Sequence, residues 1–292
     1  MIALITAVAG RRRHLARQEE WLLRRRRAGT VRVVVAMDDE PIETPSAPSA
    51  TVLRVIEPGG PLPLAAARNA GAEAAIAAGA ELLVFLDVDC LPRPGLVEAY
   101  ADAARERPDA LLTGSVAYLP EGVDYARPAT FEAVGTVHGF RPRPEPGIRE
   151  PAAHELFWSL SFACTPATWR RIGGFDEGYR GYGGEDTDFG FAARAAGVEL
   201  LFVGGAEADH QHHPVSDPPV EHLDDILRNT DRFTARWGVV PMRGWLDAFA
   251  ELGLVSHDPV TDRYARTPEP HLLTARTAPA SAGRPDTRTD AA

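Results

Sequence analysis

The sequence predicts an α/β fold: a mostly parallel central sheet flanked by helices, in a single domain followed by C-terminal helices. Three observations carry this. Short apolar runs without alternation recur from Ile2 to Ala117, as in strands buried on both faces. Helix-period segments closed by glycine separate them. Strand and helix patterns alternate, the signature of parallel strands joined by helical crossovers.

Taken in order, Ile2 to Val8 reads as a buried strand. A helix over Arg11 to Arg27 follows, with Leu15, Trp21 and Leu22 as core candidates and Gly29 as its stop. Val31 to Ala36 and Val52 to Glu57 read as strands on either side of a Pro/Ser-rich loop. Pro63 to Ala78 is a helix closed by Gly79; Leu82 to Asp87 is a fourth strand. A helix over Gly95 to Arg105 and a strand over Ala110 to Ala117 complete the alternating part. Leu119 to Pro151, rich in Pro, Gly and charge, reads as a long loop over the site. Beyond it come a strand from Leu156 to Ala163, a short helix over Pro166 to Arg171, a helix over Glu185 to Ala196 and a strand over Glu199 to Val203. Helices over Val220 to Arg236 and Pro241 to Leu252 precede a Pro/Ala/Thr-rich tail read as disordered.

Composition narrows the function. Of the 292 residues, 45% are hydrophobic and 25% charged, enough apolar surface for a sizeable core. A net charge of -10 argues against nucleic-acid binding. Cys90 and Cys164 sit in apolar runs and read as buried thiols rather than a zinc cluster or disulfide framework. No apolar run reaches a membrane-span length, and the arginines follow the first apolar run, the reverse of a signal peptide, so the expected location is cytoplasmic. The runs Arg11 to Arg13 and Arg24 to Arg27 read first as a solvated helix face; the functional option is peripheral contact with anionic lipid, which suits a lipid-linked acceptor.

The chemistry concentrates in three places. In FLDVDCLP, Asp87 and Asp89 end a buried strand, where Pro92 supports a turn. Paired carboxylates there are costly without a positive partner, and a hard divalent cation, magnesium or manganese, satisfies them. In GGFDEGYRGYGGEDTDFG, Gly183 and Gly184 precede Glu185, Asp186 and Asp188 in a first helical turn. Capping chemistry explains one or two of these acids. It does not explain the flanking Phe175, Tyr179 and Tyr182. A carboxylate there can accept a sugar-hydroxyl proton, and Tyr182 can stack on a sugar ring. In DHQHHP, His210, His212 and His213 offer imidazole ligands.

These residues together resemble the family 2 glycosyltransferases of the GT-A, Rossmann-like fold. The strand at Ile2 to Val8, AARNAG at 66–71 and FLDVDCLP carry the match, and GGFDEGYRGYGGEDTDFGFAAR is similar to the C-terminal motif of the galactosyltransferase group. The resemblance implies a catalytic domain over 1–215, a helical extension over 216–266 and a tail over 267–292. It implies an inverting transfer from a nucleotide sugar, a UDP-sugar by analogy, to a saccharide or lipid-linked acceptor. By the same resemblance Asp87, Asp89 and His210 hold Mn2+ or Mg2+, with His212 and His213 left open; Asp186 is the base and Glu185 its acceptor-orienting neighbour; Arg68 and Asp38 (or Asp39) meet the donor; Tyr182 meets the acceptor. Two other readings stand beside it. A nucleotidyltransferase acting on sugar phosphates would show a Gly-rich phosphate loop after the first strand, where AVAGRRRH has a single glycine. A non-catalytic nucleotide-sugar-binding module would not need Asp186.

Overall fold

A computed structural model of the chain describes residues 1–24, 29–42, 50–127 and 134–267. The chain divides into two compact units, Met1–Pro214 and a second beginning at Val215.

The first unit is an α/β layer structure. Strands β1 (Ile2–Val8), β2 (Thr30–Ala36), β3 (Thr51–Arg54), β4 (Leu82–Leu86), β5 (Cys90–Pro92), β6 (Leu111–Tyr118), β7 (Thr136–Val137), β8 (Arg149–Pro151), β9 (Ser161–Cys164) and β10 (Leu200–His210) form a 10-stranded sheet. Its main path runs β3-β2-β1-β4-β9-β6-β10-β5. β1, β2, β3 and β4 pair parallel, as do β6 and β10, whereas β9 lies antiparallel between β4 and β6. β4 is LLVFL, buried at every position, as a strand needs when both sheet faces are covered. Helices α1 (Arg12–Arg24), α2 (Leu64–Ala77), α3 (Leu96–Glu106), α4 (Pro166–Ile172) and α5 (Glu185–Ala195) accompany the sheet. Leu15 and Trp21 of α1 are buried as expected, and Leu22 is half-buried. Gly71 of α2 lies against β1 and β2; a Cβ there would come within 2.6 Å of the Ile5 side chain, so close helix–sheet packing excludes any other residue.

The expected elements differ from the observed ones in three instructive places. The strand expected over Leu156 to Ala163 begins only at Ser161; His154–Leu156 is a 3-10 turn, and Phe157 leaves the sheet to pack 5.1 Å from Phe162 and 5.4 Å from Phe189. The strand expected to stop at Val203 runs on to His210 through an irregularity between Phe202 and Glu207. Gly204 and Gly205 therefore bulge the strand instead of ending it; Gly205 has φ 90°, a left-handed conformation other residues adopt only with strain. The long loop after Leu119 contains the short strands β7 and β8. The end of the first expected helix at 25–28 and the tail from 268 lie outside the described residues.

The second unit contains α6 (Leu223–Trp237), α7 (Arg243–Glu251) and an antiparallel hairpin, β11 (Val255–Asp258) with β12 (Arg263–Arg266). Leu223, Ile226, Leu246, Phe249, Val255 and Tyr264 form its core, with Trp245 packed against them. The hairpin was not expected: its strands are short and polar. Among the described residues no helix is long and apolar enough to cross a membrane.

Candidate active site

The parallel strands β1, β2 and β4 end on one side of the sheet, where ligands of open α/β sheets bind. Three segments leave these ends: Gly10 and Arg11 after β1, Asp38 after β2, and the turn Asp87 to Asp89 after β4. Asp38 accepts from the backbone N–H of Gly10 and pairs with Arg12, which ties the first two segments together.

The turn after β4 is held by its main chain. The Asp87 N–H donates to Leu160 O at 2.9 Å, and the Cys90 N–H to Asp87 O at 2.9 Å. Beneath it, fully buried Gln18 donates from Nε2 to the carbonyls of Asp87 at 2.7 Å and Cys90 at 2.8 Å. Its Oε1 accepts from Thr6 at 3.0 Å and from Arg32 at 2.7 Å, and Arg32 pairs with Glu19 at 2.7 Å. Every member of this cluster is buried, so each unmet group would be costly; the reciprocal bonds fix the turn's height above the sheet.

The two acids of the turn diverge. Asp87 Oδ1 accepts from Arg68 Nη2 at 3.3 Å, and Arg68 Nη1 donates to Glu185 Oε1 at 3.1 Å. Arg68 is 5% exposed and lies in α2, so the helix delivers one guanidinium between two carboxylates from distant segments. Asp89 instead faces histidines: His210 Nε2 is 3.4 Å from one oxygen and His213 Nε2 is 3.6 Å from the other. Ligand atoms of Asp89, His210 and His213 all lie within 4.8 Å of one another. His210 is the last residue of β10, paired with Cys90 and Tyr118, so strand register carries it to the turn. Arg11 also pairs with Asp89. Arg11 and Arg12 thus pair with acids at the strand ends, where their run had suggested a solvated helix face. Of the histidines left open by the sequence, His213 joins His210 at Asp89 and His212 does not.

Glu185 and Asp186 open α5. Gly183 and Gly184 precede them with φ 90° and 89°, a left-handed turn that brings the acids back toward Arg68. Glu185 is buried, and Asp186 half-buried. Asp186 Oδ1 accepts the Thr187 N–H at 2.7 Å, and the Ser159 main chain also favours the charged form of this carboxylate. Burial raises the pKa of Glu185 to about 7, reinforced by Asp186 and opposed by Arg68. Burial likewise raises Asp186, against the pull of Arg68 and its backbone donors. Burial raises Asp87 to about 6, opposed by Arg68. Asp188, the third acid of the turn, is buried and accepts from the Tyr179 hydroxyl at 3.2 Å, a structural partnership. Tyr182 is 39% exposed at the rim; burial and then the charges of Asp186 and Glu185 raise its hydroxyl to about 12.

Two residues that the sequence reading passed over matter to this geometry. Asn69, beside Arg68, donates to Phe175 O at 2.9 Å and accepts the Phe175 N–H at 2.9 Å, clamping the Gly-rich segment onto α2. Gln18 supports the acidic turn. Asn69 stood within the quoted AARNAG motif; no sequence signal marks Gln18, whose role depends on tertiary contacts alone.

Comparison with known proteins gives the family and the fold. The model of "Glycosyl transferase family 2" matches residues 21–178, more than half of the chain. That of the "N-terminal domain of galactosyltransferase" matches residues 148–214. Validoxylamine A glucosyltransferases from two strains of Streptomyces hygroscopicus, subsp. jinggangensis (strain 5008) and subsp. limoneus, are each 27% identical over 195 residues. These matches cover 59% of this chain but 44% and 41% of the relatives, so the similarity spans less than half of their length. Among solved structures, GalNAc-T7 with UDP, GalNAc and Mn2+ superposes with a TM-score of 0.51 at 15% identity, covering 73% of this chain and 44% of that one. S. aureus TarS 1-349 superposes with a TM-score of 0.54 at 11% identity, covering 80% and 65%. Identities this low speak for the fold, which is the GT-A fold of glycosyltransferases. The chain belongs to glycosyl transferase family 2.

Proposed function

We propose that this protein transfers a sugar from a nucleotide-sugar donor, with UDP as the nucleotide, to a saccharide hydroxyl, in one metal-dependent displacement that inverts the anomeric carbon. The carrying observation is the convergence of two sets of groups at the strand ends: Asp89 with His210 and His213, and Arg68 with Asp87, Glu185 and neighbouring Asp186. The relatives' names describe a glucosyltransferase and a protein crystallised with UDP, GalNAc and Mn2+, which supports the donor class.

The donor set of Asp89, His210 and His213 fits a divalent cation, and two imidazoles beside a carboxylate favour manganese over magnesium, which prefers oxygen ligands. When bound, such a cation neutralises charge on the leaving diphosphate. The chain's own groups do the rest. Arg68 lies between Asp87 and Glu185 and meets the donor's anionic side. Asp38, tethered to Gly10 and Arg12, meets the nucleoside. Asp186 takes the acceptor hydroxyl's proton, its raised pKa matching it better to that task than an ordinary aspartate. Glu185 orients the acceptor, and Tyr182 stacks at the rim.

Calorimetric titration with a panel of nucleotide sugars, with manganese and then with chelator, tests the reading. The expected result is binding of one donor that disappears with chelator. Binding indifferent to chelator removes the metal from the scheme. Absence of binding by every donor overturns the transferase.

A further inference from the structure

A row of aromatic side chains leads away from the proposed metal ligands. The Tyr118 ring lies 4.9 Å from His210 and 5.0 Å from His138. His138 in turn lies 5.0 Å from Trp158 and 5.3 Å from Phe140, and Phe140 and Trp158 are 5.7 Å apart. Phe140 is 60% exposed, an unusual placement for a phenylalanine already in contact with two rings. The row returns to the site at its other end. Ser159, next to Trp158, lies close enough for its main chain to favour the charged form of Asp186. The shelf therefore spans from a metal-ligand candidate to the base candidate, where an attacking acceptor has to lie.

Beneath the shelf sits Arg141, 6% exposed. Its guanidinium lies 4.6 Å from the Trp158 ring centroid and 5.1 Å from that of Phe202. Aromatic faces satisfy the faces of a guanidinium, not the N–H groups at its edge. Among the described residues, Arg141 Nε and Nη2 are shielded from solvent and have no hydrogen-bond partner. A buried cation with unmet donors is costly, and an anion brought near it relieves that cost. A purely structural arginine would not need an exposed phenylalanine beside it, and a neutral stacking shelf would not need a buried arginine.

We propose that His138, Phe140 and Trp158 form the acceptor subsite of the transferase, and that it takes a saccharide ring bearing an anionic substituent, carboxylate or phosphate, whose charge is met by Arg141. The assignment rests on the transferase reading above. The rings supply the flat apolar wall on which the C–H face of a sugar packs, and Arg141 supplies selectivity for charge.

The test uses the full chain with manganese and two matched probe pairs: methyl glucuronide against methyl glucoside, and glucose 6-phosphate against glucose. Binding is followed by saturation-transfer NMR, and donor binding by calorimetry in parallel. The expected result is that one anionic probe binds about tenfold or more tightly than its neutral match; which pair discriminates tells carboxylate from phosphate. Phe140→Ala, at an exposed position, should weaken that probe roughly two- to twelvefold, the range of an aromatic contact, and leave donor binding unchanged. Arg141→Met should erase the preference for charge. Equal binding within both pairs, absence of binding by either anion, or unaltered binding to Phe140→Ala overturns the subsite. Loss of donor binding in the wild type is a separate failure, that of the transferase reading.

Discussion

Asp87 and Asp89 leave the same turn with the same side chain, yet meet opposite company. Asp87 is answered by a permanent cation, Arg68, itself shared with Glu185. Asp89 is answered by two imidazoles and by Arg11. The first set holds one guanidinium between two carboxylates, an ion-pair arrangement built from the protein alone. The second gathers two imidazole nitrogens around one carboxylate, a composition suited to a transition-metal ion. Sequence proximity thus says little about shared duty; the element that arrives opposite each acid decides it, α2 in one case and the end of β10 in the other.

Substitutions can break that contrast in order of effect. The largest is expected at Asp186→Asn, beside the Arg68 set: transfer should fall by about a hundredfold to ten-thousandfold with donor binding retained, read by steady-state kinetics beside calorimetry. Asp89→Ala should weaken manganese binding by about a hundredfold or more, because supporting residues alone contribute up to that much. Asp87→Ala should spare manganese affinity by comparison and weaken the donor. Equal loss of manganese by both variants, measured by electron paramagnetic resonance titration, would merge the two sets into one. Arg68→Met leaves Glu185 and Asp87 unpaired and should destabilise the fold by about 3 kcal/mol or more, read by urea denaturation. The smallest effect is on pH. Burial pushes Glu185 up to about 7 and raises Asp186 above its ordinary value, so both take up protons at a higher pH than exposed carboxylates do. A base acts only when deprotonated, so kcat/KM should decline on the acid side at a pH above the ordinary aspartate value. An acid limb at the ordinary carboxylate pKa of about 4 would contradict it.

Much of this was legible in the residues. β1, β2 and β4 could be read because strands covered on both faces must be apolar throughout, and the acids after β4 stood out against that background. Glu185 and Asp186 were marked by the glycines before them. β10 was read too short, because Gly204 and Gly205 look like a stop when no partner strand is in view; pairing with β6 on both sides of the bulge carries the strand through. Hence the histidines seemed to belong to a loop, and the sequence left open which of His210, His212 and His213 stands at the turn; register carries His210 there, and His213 lies beyond the strand. The pairing of Arg11 with Asp89 was hidden because both lie beside turns whose direction no local pattern gives.

The hold of Gln18 on the turn has a consequence for how this site can change. Gln18 grips the carbonyls of Asp87 and Cys90, atoms that every amino acid possesses. The height of the turn is therefore set through main-chain atoms, while its side chains are read separately: Asp87 by Arg68, Val88 by the core and Asp89 by Arg11. A change at this interior glutamine would reach both acids at once, through the carbonyls that carry them.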